Sequence, residues 1–374
     1  MLVGGGHAHV QVLEGWAATP ASAASLTVVV DRPVAVYSGM VPGLVAGRYR
    51  RDEIEIDVRP LAARAGARLV VARAVSVDAS RRRLVLDGGG PPLGYDTASF
   101  DIGATVSGLD TPGVREHALP TRPIAGLVSR VDELAARMSA RERSRVIVVG
   151  GGAGGVELAF ALSARFTREG ARGASVMLLE ERAGVLPGYP RAAARRVEDR
   201  ARSRGLEIRC SARVAEVGRA HVRLDSGERL DADAVLWVTG AASPPLFAAS
   251  GLPVDARGFA RVRATLQLID RDELFAAGDC ASLDGHPDLP KAGVHAVRQG
   301  PVLAHNLRAR VDGRPLRAYR PQRDFLSLLN LGDGSAVASK WGLTAEGRLI
   351  FRLKDWIDRR FVRRFQASRS AAPR

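Results

Sequence analysis

Arg145-Val-Ile-Val-Val-Gly150-Gly-Gly-Ala-Gly-Gly155-Val-Glu157-Leu-Ala-Phe-Ala-Leu162, followed after a polar turn by Ser175-Val-Met-Leu-Leu-Glu180, sets the architecture of this chain. A β-branched run, a G-x-G-x-x-G turn, an amphipathic helix, a second apolar strand and a terminal acid follow one another in the order of a dinucleotide-binding βαβ unit. Gly150 permits the tight turn, Gly152 lets backbone approach a pyrophosphate, and Gly155 lets the helix lie close to the strand. The helix N-terminus offers unpaired N–H groups and positive dipole to phosphate. A carboxylate at Glu180 accepts hydrogen bonds from a ribose 2′-hydroxyl and repels a 2′-phosphate. That favours NADH, with NADPH left open because Arg182 lies close by.

Outward from that stretch, the string Val-Gly-Gly-Gly occurs twice, at residues 3–6 and 149–152, so two related units are expected. In the first unit the pattern reaches His9 where the third glycine belongs, and the strand before it holds only Met1 to Val3, which suggests a start further upstream. An imidazole at His9 has to push the helix outward or hydrogen-bond. The next strand, Leu26 to Val30, ends in Asp31, again at the ribose position. Three further runs, Phe100 to Gly103, Ala234 to Gly240 and Leu274 to Gly278-Asp279, read as strands ending at glycine, as expected where the carboxyl ends of a sheet face a ligand. Pro112-Gly113 and Pro120 to Pro123 read as a linker before a helix over 124–141. The fold class is therefore α/β, with two Rossmann-like dinucleotide-binding domains.

Composition narrows the function classes. The chain has 374 residues and a formal charge of +15, with 55 basic residues, of which only Lys291, Lys340 and Lys354 are lysines. Arginine usage of this kind fits a GC-rich genome, nucleic-acid binding or an anionic membrane. Residues 301–374 hold sixteen basic and six acidic residues, so most of the excess lies in the last fifth of the chain. With only Cys210 and Cys280, 70 residues apart, there is no disulfide framework and no paired redox thiol. No metal site is expected, since His7 and His9 lack a third ligand nearby. With no secretory leader and no long apolar run, a cytoplasmic protein is expected.

The strings Gly4-Gly-Gly-His-Ala-His9, Gly150 to Glu157, Trp237-Val-Thr-Gly240 and Phe275-Ala-Ala-Gly278-Asp279 together resemble the pyridine nucleotide-disulfide oxidoreductase superfamily, flavoproteins with two dinucleotide folds. Tyr37-Ser-Gly-Met-Val-Pro-Gly43 and Lys291-Ala-Gly-Val-His-Ala-Val-Arg-Gln-Gly300 resemble the branch fused to or encoded beside selenide, water dikinase. Type II NADH dehydrogenases are wider relatives. The resemblance implies FAD on the N-terminal unit and NADH on the central one, the second inserted in the first. It divides the chain into 1–112 and 241–315 for FAD, 113–240 for NAD(P)H, and a C-terminal α/β interface region at 316–374.

The implied cofactor residues are Gly4, Gly5, Gly6, His7, Ala8, Asp31, Gly103, Gly278, Asp279, Lys291 and Gly293 for FAD, and Gly150, Gly152, Gly155, Glu180 and Gly240 for NADH. Gly278 and Asp279 correspond to the pair that holds the ribityl chain. Disulfide reductases of the family pass electrons to a cysteine pair in the first unit. None stands in Tyr37 to Pro42, so a diffusible acceptor is expected.

Three side chains are catalytic candidates. Glu157 reads either as a proton-handling group beside the nicotinamide or as a plain helix residue. Lys291 reads as an ammonium near flavin or acceptor, or as solvated surface. His295, four residues on, shares its helical face if the helix spans Lys291 to Val311, kinked at Pro301. A core or surface histidine is the competing reading.

In residues 348–365, Ile350, Leu353, Ile357 and Phe361 form an apolar stripe flanked by Leu349 and Trp356, with seven basic residues from Arg348 to Arg364. This is the pattern of an interfacial membrane anchor or of a helix packed on the body. Ala367 to Arg374 read as a frayed end. The expected activity is NADH to flavin to acceptor, with a quinone at the inner face of the membrane leading. A soluble reductase linked to selenide, water dikinase and a flavin-bearing sensor stand behind it. No nucleic-acid partner is expected, since no supporting motif is present.

Overall fold

The computed structural model describes residues 1–19, 24–322 and 324–366. The expected end at Ala367 to Arg374 lies outside the described residues. The chain begins with β1 (Leu2–Val3), α1 (His7–Ala18), β2 (Thr27–Val30), β3 (Arg68–Val71) and β4 (Ala98–Phe100). All four strands run parallel, in the order β4-β1-β2-β3. β1, β2 and β4 are buried over most of their length, which is why apolar residues run without alternation in β1 and β2, whereas the edge strand β3 is half-exposed with Val71 outside.

A second parallel sheet follows, made of β5 (Ala118–Pro120), β6 (Ser144–Val149), β7 (Ala174–Leu179), β8 (Glu207–Arg209) and β9 (Ala234–Trp237) in the order β5-β9-β6-β7-β8. The crossover from β6 to β7 is α2 (Ala153–Arg168), and Val149 aligns with both Leu179 and Trp237 at the carboxyl edge. That edge carries the glycine turn and Glu180 together.

The chain then returns to the first sheet. Strands β10 (Ala260–Val262), β11 (Gln267–Leu268), β12 (Arg271–Ala276) and β13 (Ala281–Leu283) extend it to eight strands, with β12 parallel to β4. The first sheet is thus discontinuous in sequence, and the second is inserted in it. From β13 the chain runs to α3 (Gly293–Val311), which packs against α1. Small residues make the approach close: a Cβ at Gly300 would lie 2.2 Å from the Gln11 amide nitrogen, which donates to the Val297 carbonyl at 2.8 Å.

Helix α3 starts at Gly293, so Lys291 precedes it. The expected helical face shared by Lys291 and His295 is not formed, because Ala292 caps the helix with extended backbone. The helix continues through Pro301.

An antiparallel sheet of β14 (Ser327–Asn330), β15 (Ala336–Lys340) and β16 (Leu343–Gly347) leads into α4 (Arg348–Gln366). The face of α4 turned inward is not the stripe of Ile350, Leu353, Ile357 and Phe361. Lys354, Asp358, Val362 and Phe365 are buried, with Phe351 and Phe361 partly so, whereas Leu349, Leu353, Trp356 and Ile357 are exposed. The helix is rotated by about one position, because polar partners wait on the body for Lys354 and Asp358.

Candidate active site

The turn after β6 holds Gly150 at φ +114°, and a Cβ there would stand 2.6 Å from the Val238 carbonyl oxygen. Gly155 meets the turn from the helix side, where a Cβ would lie 1.7 Å from the Gly150 carbonyl oxygen. Gly152, the N-cap of α2, has open space on its side-chain side. Glu180 lies buried beside them: it accepts the Gly151 N–H at 2.6 Å and the Arg182 N–H at 2.9 Å. An uncapped helix start, a turn open to approach and a carboxylate beside it fit a dinucleotide with a free 2′-hydroxyl.

These residues open on a cavity of about 740 Å³, lined also by Gly240, Glu157, Lys291, Arg122, Ser38 and Pro42. It runs from the nucleotide turn of the second unit to Ser38, Val41 and Pro42 of the first. Gly150, Gly152, Glu180, Gly240, Glu157 and Lys291 are thereby brought together. Gly155 stands behind the turn, where its task is packing.

Glu157, on α2, is half-buried in the cavity wall and accepts the Asn330 N–H at 2.7 Å. Burial raises its pKa to about 7, against the lowering effect of the Lys354 ammonium and of that N–H. Lys354 Nζ donates to Asp358 and to the Gly39 carbonyl, each at 2.9 Å, and the Tyr37 hydroxyl donates to the other Asp358 oxygen at 3.2 Å. Burial works against the Lys354 charge, but Asp358 and Glu157 outweigh it and raise its pKa. Burial also drives the Tyr37 hydroxyl far above its usual range, so it stays a neutral donor. Reading the sequence missed Tyr37, Lys354 and Asp358. The scarcity of lysine was the only signal, and it pointed first to Lys291.

Lys291 turns inward: its Nζ donates to the Ala281 carbonyl and lies 4.0 Å from the centre of the Phe259 ring, with its pKa lowered by burial. His295 stands off the main cavity, with Nδ1 3.2 Å from the Tyr319 hydroxyl and its ring edge-on to Phe325. Sequence reading also missed Arg122, which pairs with Asp279 across the two units.

In the first unit Gly4 turns at φ +97°, Gly6 caps α1 in extended conformation, and His7 and Ala8 open the helix. Gly5 lies against Val30 and Val58. His9 keeps its place by hydrogen bonding, as an imidazole there must, with Nδ1 2.7 Å from the Gly4 carbonyl and Nε2 2.8 Å from the Ser99 hydroxyl. Asp31 is exposed at the end of β2, beside Arg32. Gly103 follows β4 at φ +69° with open space around it, and Gly278 follows β12, donating its N–H to Gln299 at 2.7 Å. The Nε2 atom of His7 is buried without a partner, and Gly293 begins α3 with no side-chain cap, near Ser38. A glycine cradle, an orphaned ring nitrogen and the uncapped start of α3 at one sheet edge fit a flavin dinucleotide. Asp101 is the one residue that complicates the fit. Its carboxylate accepts the Ala8 and His9 N–H groups at 2.7 and 3.1 Å.

The pattern of the pyridine nucleotide-disulphide oxidoreductase family matches residues 1–300. The chain belongs to that family. As a member it is an oxidoreductase that uses FAD and NADH. Among its relatives, a demethylphylloquinone reductase of Synechocystis is 27% identical over 313 residues, covering 81% of this chain and 76% of that one. A type II NADH:quinone oxidoreductase of Haemophilus influenzae is 24% identical over 325 residues, covering 80% and 72%. Of solved structures, the sulfide:quinone oxidoreductase of Aquifex aeolicus superposes with a TM-score of 0.83 at 17% identity, covering 98% of this chain and 91% of that chain. The NDH2 of Plasmodium falciparum in complex with NADH gives 0.81 at 13%, covering 98% and 96%. These likenesses establish the two-dinucleotide fold of the family over nearly the whole chain.

Proposed function

We propose that the protein oxidises NADH and reduces a quinone at a membrane surface. FAD, when bound, supplies the two-electron chemistry between donor and acceptor. The observation that carries the reading is the cavity joining the α2 turn to Ser38, Pro42 and Lys291 with Glu157 in its wall. The uncapped start of α2 binds the pyrophosphate of NADH, and Glu180 takes the ribose hydroxyls. Asp279 and Gly278 hold the flavin side, with Arg122 tying Asp279 to the second unit.

Reduction of a quinone by NADH consumes one proton beyond the hydride. Glu157, with a pKa of about 7, holds a proton it can release at neutral pH, and Lys354 stabilises the carboxylate left behind. Without a cysteine pair beside this cavity, the electrons leave on an external acceptor. The relatives named as quinone reductases support a quinone.

The outer face of α4 supports a membrane surface. Leu349, Leu353, Trp356 and Ile357 lie exposed in one patch of the helix, with Trp341 and Leu343 exposed at the adjoining β15–β16 turn. Arg348, Arg352, Arg360 and Arg363 are exposed on the same helix. Apolar side chains among arginines suit an anionic interface. No helix among the described residues is long and apolar enough to cross a membrane. The link to selenide, water dikinase rests on the sequence strings alone.

Rapid mixing tests the reading. NADH should bleach the flavin faster than NADPH, and a short-chain quinone should restore the colour with one quinol formed per NADH. Bleaching without reoxidation by quinone would remove the acceptor, and no bleaching at all would favour a sensor.

A further inference from the structure

The first turns of the two nucleotide-binding helices are held differently. In α2 no side chain caps the N-terminus, and the glycine turn is open. In α1 the carboxylate of Asp101, reaching from the end of β4, accepts the N–H groups of Ala8 and His9, and the Asp101 carbonyl accepts the Gly6 N–H at 3.2 Å. Those are the donors that a helix start offers to a dinucleotide pyrophosphate. The surroundings are shaped to the carboxyl. A Cβ on Gly6 would lie 2.2 Å from it, and one on Gly278 would lie 2.7 Å from its Oδ1. Ser99, two residues earlier on the same strand face, holds the His9 ring at 2.8 Å, so β4 grips the first turn of α1 at two points.

Resting on the assignment of FAD to this unit, we propose that Asp101 is a flavin-site residue that exchanges a proton for the cofactor. Ionised, it caps α1 in the empty protein; protonated, it yields those N–H groups to the pyrophosphate and can donate to a phosphate oxygen. Two anions cannot share one helix start with no cation facing them, and the charged neighbours bear this out. From the turn after β12 come Asp279, whose negative charge opposes ionisation of Asp101, and the Cys280 thiol, which burial pushes up to about 12. From α1 come His9, which burial holds down at about 4, and His7, also lowered by burial, so both rings are neutral at pH 7. From α3 come the neutral Gln299 and Ala296. Arg122 is already paired with Asp279. Burial itself raises the Asp101 pKa to about 7, against the two N–H bonds that lower it. Bound phosphates raise it further, so the loaded protein holds about one proton more than the empty one at pH 8.

The test follows FAD on the intact protein, by fluorescence of released flavin after dilution at pH 6 to 9. The dissociation constant should be flat below about pH 7 and rise by about tenfold per pH unit above it. In Asp101→Asn, which keeps an acceptor for the α1 N–H groups, the rise should vanish. Rebinding of FAD to unsubstituted protein in weak buffer at pH 8 should take up about one proton, a reading that does not depend on the variant folding. Retention that is independent of pH, no proton uptake, or the same slope in Asp101→Asn would overturn the inference while leaving FAD in place. A protein that retains no flavin at any pH would remove the FAD assignment, and this inference with it.

Discussion

The backbone N–H of Asn330, at the end of β14, donates to the carboxylate of Glu157 on α2 at 2.7 Å. The C-terminal sheet thereby reaches into the helix that opens at the nucleotide turn. One oxygen of a half-buried acid is committed to a fixed donor, so its proton has a defined place. The Glu157 carboxyl, with a pKa of about 7, is protonated below neutrality and ionised above it. If it supplies the second proton to quinone, turnover with saturating quinone should fall by about tenfold per pH unit above about pH 7. Glu157→Gln should lower that rate by about 10²-fold and erase the limb, while single-turnover bleaching by NADH changes little. An intact limb in the variant would show that another group delivers the proton.

The Lys354–Asp358 pair gives a separate prediction about stability. Both side chains are buried, at 7% and 5% exposure, and they face each other at 2.9 Å with Tyr37 and Gly39 completing their hydrogen bonds. Lys354→Met leaves Asp358 and Glu157 in the interior without their cation and should cost about 3–5 kcal/mol in denaturant unfolding. Lys354→Met combined with Asp358→Leu should recover most of that loss, because no unpaired charge then remains at the pair. The single variant should also raise the Glu157 pKa, since the Lys354 charge is the larger of the two influences that lower it. A pH limb that moves downward would contradict that arrangement.

How far the sequence showed all this depends on the range of each interaction. The β6–turn–α2–β7 unit and the seat of Glu180 beside Gly151 are local, and glycine spacing with apolar periodicity reveals them. The strands before Gly240 and Gly278 were legible for the same reason, whereas the run from Phe100 to Gly103 lies past the end of β4 at Phe100. Asp101 was not, because an acid at a strand end carries no mark of the helix start it will cap 93 residues away. Lys354 and Asp358 were counted only among the charges of that helix; only the body of the protein tells that they face inward. Their burial rotates α4 and leaves Leu349 and Trp356 outside, contrary to the stripe counted from apolar residues alone. Lys291 was placed on a helix that begins two residues later.

Glu180 should set the choice of nucleotide. Its carboxylate is held by two backbone N–H groups at the edge of the cavity, so it presents fixed negative charge where a ribose 2′-substituent arrives. Glu180→Ser removes the repulsion of a 2′-phosphate and leaves Arg182 nearby. The ratio of kcat/KM for NADH over NADPH should drop by about ten- to a hundredfold, from a loss with NADH and a gain with NADPH. An unchanged ratio would place the ribose elsewhere.

The last prediction concerns the outer face of α4. Trp356 and Leu349 are 57% and 73% exposed, and Trp341 at the neighbouring turn is 72% exposed, so replacing them removes little internal packing. The guanidinium of Arg360 lies over the Trp356 ring at 5.3 Å and the Lys340 ammonium over Trp341 at 4.0 Å, which places cations beside each aromatic. Apolar burial and attraction to anionic headgroups should then act together, at about 1 kcal/mol for each basic side chain near the surface. Trp341→Ala with Trp356→Ala should weaken sedimentation with anionic vesicles by at least about tenfold. Arg360→Glu should weaken it further and flatten its dependence on salt. Thermal unfolding and NADH bleaching should stay as in the unsubstituted protein. Activity with a water-soluble quinone should be kept, and only activity with a quinone dissolved in the vesicles should fall. If the vesicles bind the double variant as well as the unsubstituted protein, this face meets something other than a lipid surface.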